Sequence, residues 1–204
     1  MLPFYLINKF PPLKHKLRSM YLHRARQIVP HITPFITKAD RVLDLGCGTG
    51  SIIKLVKKSA RCQATLVDVQ YNAMCDQYPV LIYDGRQLPF ATRQFTTTLV
   101  TAVLHHTQDP HQVLSEAKRV TSKQIIVMED VFSDVFSRLI TFVGDCLLNW
   151  EIHSPFTNHT VTDWTKIFNR HHLRISHFEE FHLRCVGFPF KLALFVLTPT
   201  HRHS

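Results

Sequence analysis

The sequence predicts an α/β fold, a mostly parallel sheet with helices on both faces, and three observations predict it. Short apolar runs alternate with segments of helical periodicity through five successive strands. Three glycines, Gly46, Gly48 and Gly50, directly follow the first of those runs and precede a helical segment. The length, 204 residues, suits one domain; a chain of that size buries about 70% of its unfolded surface around a single core.

Between Leu13 and Ile32 apolar residues recur at three- and four-residue steps (Leu17, Met20, Tyr21, Ala25, Ile28, Ile32). That spacing is an amphipathic helix, expected to be interrupted near Pro30, which lacks an N–H for the ladder. Arg41 to Leu45 reads as a buried strand, Ser51 to Lys58 as a helix and Ala64 to Val69 as a second strand. Pro79 to Tyr83 and Phe95 to Val103 follow as strands, then a helix from about Pro110 to Val120 and a fifth strand, Gln124 to Met128.

Beyond Glu129 the rhythm changes. An aromatic-rich stretch runs from Val131 to Trp150, followed by Pro155 to Asn158 and a helical segment from Thr160 to His171. Residues 131–171 are therefore expected to form a helical insertion after the fifth strand that caps the open end of the sheet. Leu173 to Phe178 and Phe190 to Leu197 complete a set of seven strands, and with no repeat or low-complexity linker a single domain over residues 1–204 is expected.

Hydrophobic residues make up 45% of the chain, which excludes the apolar-poor composition of a disordered protein. Net charge is +9, and residues 1–39 hold seven Lys/Arg and no acidic residue, so the body is nearly neutral. A basic helical leader of this kind suits an RNA, an anionic membrane surface met peripherally or an acidic substrate, and equally a solvated helix face. The apolar start MLPFYLINKF is cut short by Lys9 and Pro11-Pro12, with no small-residue cleavage site after it. No other stretch reaches the roughly 18 uncharged apolar residues of a membrane span, so a cytoplasmic protein is expected.

Cys47, Cys62, Cys75, Cys146 and Cys185 are odd in number and share no CxxC spacing, which points to reduced thiols. Eight of the 14 histidines lie from His153 onward, at spacings that match no zinc pattern, and no metal site is expected.

The glycines carry the most information. A sharp turn at the carboxyl end of a parallel strand is where ligands bind in open α/β sheets, and glycine lets a ligand lie against bare backbone. The spacing is GxGxG, whereas the dinucleotide fingerprint GxGxxG needs its third glycine where this chain has Ser51. Asp44, two residues ahead of Gly46, would repel a pyrophosphate and suit a cationic ligand. Both features disfavour a nicotinamide-dependent oxidoreductase.

The run VLDLGCGTG (Val42 to Gly50) resembles the cofactor loop of class I S-adenosylmethionine-dependent methyltransferases, and the similarity extends over roughly residues 24 to 130. The resemblance implies a Rossmann-like seven-stranded sheet, S-adenosyl-L-methionine as cofactor, and methyl transfer as the activity. It implies cofactor contacts from Asp44, Gly46, Cys47, Gly48 and Gly50, from Asp68 with Val69 at the ribose hydroxyls, and from Asp84 with Gly85 near the adenine. A carboxylate such as Asp68 can accept both hydrogen bonds of a diol. The stretch FTTTLVTAVLHHTQDP resembles the fourth strand and its loop, ending in His105 and His106. One departure stands before the fifth strand, where the family often has a glycine pair and this chain reads RVTSKQIIVMED.

Methyl transfer from a sulfonium is an in-line displacement, so alignment matters most and a base matters only for an acceptor that must lose a proton early. His105 and His106 are the candidate catalytic bases, with backbone hydrogen bonding as the structural alternative. The Glu129-Asp130 pair is positioned to bind a cationic acceptor, or Asp130 to cap a helix. Cys47 has no neighbouring base and is not expected to be a nucleophile. Trp150, Phe156, Trp164 and Phe168 either line an apolar acceptor pocket or form the core of the insertion. Three functions follow: methylation of a small-molecule or lipid-like acceptor, methylation of RNA bound through the basic leader, or a catalytically silent binding module. The sequence names neither the acceptor nor the oligomeric state.

Overall fold

A computed structural model of the chain describes residues 11–72, 74, 75, 77–131, 159–185 and 188–200. Helix α1 spans Pro11–Ile32 and runs on into a 3-10 turn, Thr33–Phe35. The elements that follow are β1 Arg41–Leu45, α2 Ser51–Ala60, β2 Gln63–Asp68, β3 Val80–Ile82, β4 Phe95–Thr101, α3 Pro110–Val120 and β5 Thr121–Asp130. After residue 158 come α4 Val161–Arg170, β6 Leu173–Cys185 and β7 Phe188–Pro199. No described helix is long and apolar enough to cross a membrane.

The seven strands form one sheet in the order β3-β2-β1-β4-β5-β7-β6. Strands β1 to β5 pair in parallel, and β7 runs antiparallel to both β5 and β6. Because helices cover both faces, central strands read as continuous apolar runs; four of the five residues of β1 are buried. Val42, Leu66, Leu99, Ile126 and Met128 face the side packed by α1 and α2. Leu43, Leu45, Val67, Val100 and Val127 face the opposite side, packed by α3 and α4.

Local chemistry sets the helix boundaries. The carboxylate of Asp109 accepts from the backbone N–H of His111 and Gln112, and Pro110 occupies the first turn of α3. A capping box starts α4, in which Thr160 and Asp163 bond each other's backbone N–H.

The structure departs from the sequence reading in several places. Helix α1 continues through Pro30 to Ile32. Pro30 lies on the exposed side within the last turn, and the buried Ile28, Val29 and Ile32 hold that turn against the core. Strand β6 continues to Cys185, with a slip in its pairing between Ile175 and His177; in its second half Phe181 and Leu183 are buried while His182 and Arg184 face solvent. Most of the expected cap, residues 132–158, lies outside the described residues, including Trp150 and Phe156. Its last part, α4, lies on the sheet, and fully buried Trp164 and Phe168 pack with Phe195 of β7 in the core.

From β1 the chain builds outward through β2 to β3, then returns to β4 on the other side of β1. That reversal opens a crevice at the carboxyl ends of β1 and β4.

Candidate functional site

Strand β1 ends at Leu45, and the chain turns through Gly46 to Gly50 into α2. Gly46 has φ +73°, and a Cβ there would stand 2.5 Å from Val103 Cγ2 in the loop after β4. Only glycine lets these two turns close on each other. Gly48, at φ +51°, has nothing within 4 Å of where a Cβ would be, so its backbone borders open space. The Gly48 N–H donates to Asp68 Oδ2 at 2.8 Å, and the Val69 N–H donates to Asp68 Oδ1 at 2.8 Å. Asp68 thus ties the loop to the end of β2 while each of its oxygens keeps accepting capacity.

These residues line a cavity of about 320 Å³. The glycine loop forms its floor, Asp68, Val69 and Gln70 one side, and Thr101 to Val103 with His106 and Thr107 the other. Helix α1 closes it with Tyr21, Arg24, Ala25 and Ile28.

Asp44 is buried at the base of this cavity, and its Oδ1 has no hydrogen-bond partner among the described residues. Burial first, and then the charge of Asp68, raises its pKa to about 7. A buried acceptor without a donor is unfavourable, so a cationic N–H donor entering the cavity gains a ready partner.

His106 lines the opposite side. Burial, then His105 and Arg24, push its pKa down to about 3, so its ring is neutral at physiological pH. His105 turns away from the cavity; its Nδ1 bonds the Glu129 carboxylate, with both side chains buried. Glu129 Oε1 also accepts from the N–H of Val103 at 3.1 Å and of Leu104 at 2.8 Å. Asp130 is buried and meets Arg24 NH2 at 3.4 Å. Neither carboxylate lines the cavity, so the expectation that the pair presents itself to a cationic acceptor gives way to an internal role.

Of the residues singled out from the sequence, Asp44, Gly46, Cys47, Gly48, Asp68, Val69 and His106 meet around the cavity. Gly50 lines a neighbouring cavity beside Arg18 and Lys54. Asp84 and Gly85 are not among the lining residues. The exposed Asp84 carboxylate is turned onto its own loop, where the N–H groups of Arg86 and Gln87 hold its pKa below the usual carboxylate range. Tyr83 is the residue of that stretch that reaches the cavity. A hydrogen bond to Cys75, followed by burial, raises the pKa of Cys47, which keeps it a protonated thiol and a poor nucleophile.

The wall from α1 was missed. The signal was present: Tyr21, Arg24, Ala25 and Ile28 fall at i, i+3, i+4 and i+7, one helical stripe with a guanidinium in it. Among the described residues no group of three or more His, Cys, Asp or Glu side chains could hold a metal ion.

The site has recognisable relatives. Residues 43–127 match the family model of a methyltransferase domain. The fold matches that of a Haloferax volcanii protein solved in complex with the Trm112 methyltransferase activator, at 14% identity and a TM-score of 0.71 over 97% of this chain and 99% of that one. It matches a SAM-dependent methyltransferase of Methanosarcina mazei at 16% identity and a TM-score of 0.64, over 84% and 98%. Magnesium protoporphyrin IX methyltransferase of Synechocystis PCC 6803, solved with bound SAH, aligns at 13% identity and a TM-score of 0.63, over 90% and 85%. At these identities the likeness is one of fold. No curated protein matches the chain by sequence. The cofactor of such domains is S-adenosylmethionine, and an unpartnered buried acceptor at Asp44, accepting capacity at Asp68 and bare backbone at Gly48 fit its ammonium, its ribose diol and its bulk. Residues 43–127 thus match a methyltransferase domain, set in a fold that S-adenosylmethionine-dependent methyltransferases share.

Proposed function

We propose that the chain transfers a methyl group to a small-molecule or lipid-like acceptor, and the observation that carries the methyl-transfer part of the reading is the buried Asp44 Oδ1, without a hydrogen-bond partner among the described residues, at the base of the cavity. When bound, S-adenosylmethionine supplies a methyl group carried on a sulfonium. Asp44 would hold the ammonium, Asp68 the ribose hydroxyls and the Gly48 backbone the cofactor's body. His106, neutral and a weak base, would orient the acceptor through a hydrogen bond rather than remove its proton early. Catalysis then rests on alignment and on a partly closed site. The free thiols of Cys47, Cys62 and Cys75 suit the reducing cytoplasm, the compartment this reading takes.

Calorimetric titration with S-adenosylmethionine and S-adenosylhomocysteine tests the reading, with Asp68→Ala as control. Micromolar binding that is lost in the control supports it; absence of binding by the wild-type protein ends it.

A second reading concerns a partner. Val69, Tyr71, Leu81 and Ile82 are exposed on or beside β2 and the edge strand β3, where unpaired backbone groups lie next to apolar side chains. That edge suits an activator protein like the one that accompanies the Haloferax volcanii relative. Co-elution with such an activator, lost on Leu81→Lys, supports this; separate elution of the wild-type chain removes it.

A further inference from the structure

A second cavity, about 360 Å³ in volume, shares Thr49 and Ser51 with the cavity described above but none of its carboxylates. Its size is that of a small-molecule site. Asp44 and Asp68 line the first cavity, whereas the described residues around the second include no acid and three bases, His15, Arg18 and Lys54. Two neighbouring cavities of opposite sign select different ligands.

Lys54, at the start of α2, carries the argument. Its Nζ donates to Gln77 Oε1 at 2.8 Å, and among the described residues no carboxylate meets it. A neutral amide thus holds the ammonium in place and leaves its charge uncompensated. A half-buried cation in that state gains from an anion that enters beside it. Helix α2 begins at the same wall, and Gly50 at its N-cap brings no side-chain oxygen to the first N–H groups, so the helix dipole adds to the preference.

The rest of the lining is not ionic. Leu22, Met74 and Tyr78 add apolar and aromatic surface. Lys57 Nζ stands 4.6 Å from the centroid of the Tyr78 ring and steadies it. The space exceeds what a bare oxyanion fills, so the complementary ligand has an anionic head and an apolar or aromatic body. A guanidinium and an ammonium together match a dianion better than a single carboxylate.

We propose that this second cavity binds a small organic phosphate, whose phosphate is taken by Arg18 and Lys54 and whose body packs on Tyr78 and Leu22. The site lies outside the cavity assigned to the cofactor, and the inference stands whether or not that assignment does.

The test titrates the full chain by calorimetry with phenyl phosphate, inorganic phosphate and phenol. Wild type is compared with Lys54→Gln, Arg18→Gln and Tyr78→Ala, and thermal midpoints establish that each variant is folded. None of the three residues lines the first cavity, so their effects report on the second. Wild type should bind phenyl phosphate, inorganic phosphate roughly fivefold or more weakly, and phenol not at all. Lys54→Gln and Arg18→Gln should each weaken phenyl phosphate by roughly 5- to 50-fold. Tyr78→Ala should bring phenyl phosphate down to the affinity of inorganic phosphate. Phenyl phosphate that fails to bind wild type, binds no more tightly than inorganic phosphate, or binds all three variants as wild type does, overturns the proposal. Single-stranded RNA that binds in place of phenyl phosphate and depends on Lys54 and Arg18 would make this face a nucleic-acid contact, and overturns it as well.

Discussion

The buried carboxylate of Glu129 accepts a hydrogen bond from Nδ1 of the buried His105. With the N–H groups of Val103 and Leu104 also bonded to it, one side chain at the end of β5 holds the turn that follows β4. That turn packs Val103 on Gly46 and places His106 at the cavity. Glu129→Ala would strand two buried donors and the half-buried Val103 N–H, and is expected to destabilise the fold by about 3–5 kcal/mol, with Glu129→Gln at roughly half that cost. Denaturant unfolding of the two variants measures it, and equal stability of Glu129→Ala and wild type would remove the carboxylate from this role.

Asp44 yields a prediction in pH. Its folded pKa is raised from 3.8 to about 7, so folding favours the protonated form and the carboxyl weakens the ligand-free fold as pH rises from about 4 through 7. Asp44→Asn removes that penalty. Its thermal midpoint should exceed the wild type's at pH 8 by the equivalent of a few kcal/mol and match it near pH 4. Cofactor affinity should move the other way, being lost in the variant and, in the wild type, declining as pH falls below about 7.

The contact between Gly46 and Val103 predicts a coupled pair. Gly46→Ala places a Cβ 2.5 Å from Val103 Cγ2 at a φ of +73°, and is expected to destabilise by roughly 2–4 kcal/mol. Adding Val103→Ala should return part of the loss, leaving only backbone strain and a small cavity. A strictly additive double variant would show that the two turns do not press on each other.

His106 titrates far below neutrality, with its pKa near 3. Turnover should therefore show no limb between pH 5 and 8 from this group, and His106→Ala should lower turnover by roughly 100-fold with S-adenosylhomocysteine affinity unchanged. A limb near pH 6.5 that vanishes in the variant would restore the general-base role.

Small-molecule and RNA acceptors part on salt. The small-molecule reading expects bulk RNA to bind no tighter than the ~10⁻⁴–10⁻⁶ M of non-specific contacts. Tight binding with a steep salt slope, flattened by Lys14→Gln, Lys16→Gln and Arg18→Gln together, would favour RNA.

Much of the fold could be read from the chain because the signals were local. Arg41–Leu45 and Pro110–Val120 were placed to the residue, the first by a both-faces-buried run, the second by Asp109-Pro110 at its start. The glycine turn after β1 was legible through residue types that its geometry requires. What local pattern does not encode is where a side chain ends up across the sheet. Glu129 lies in sequence beside the expected cleft, but pleat and pairing turn it into the protein, onto donors 24 to 26 residues away. Arg24 shows the reverse: a residue of the basic leader that the packing of α1 carries into the site. Asp84 stands outside the cavity lining, its carboxylate accepting from the N–H groups of its own loop.

The sheet order has a consequence for how the molecule assembles. Strand β7 separates β5 from β6, and Ile125 pairs with Leu197 about 70 residues further along the chain. While the chain folds, β5 must keep an unpaired apolar edge until the β6–β7 hairpin arrives and inserts its second strand. The slow step should be this docking, and damage to the hairpin should show first as aggregation during refolding, before any loss of cofactor affinity in molecules that have already closed.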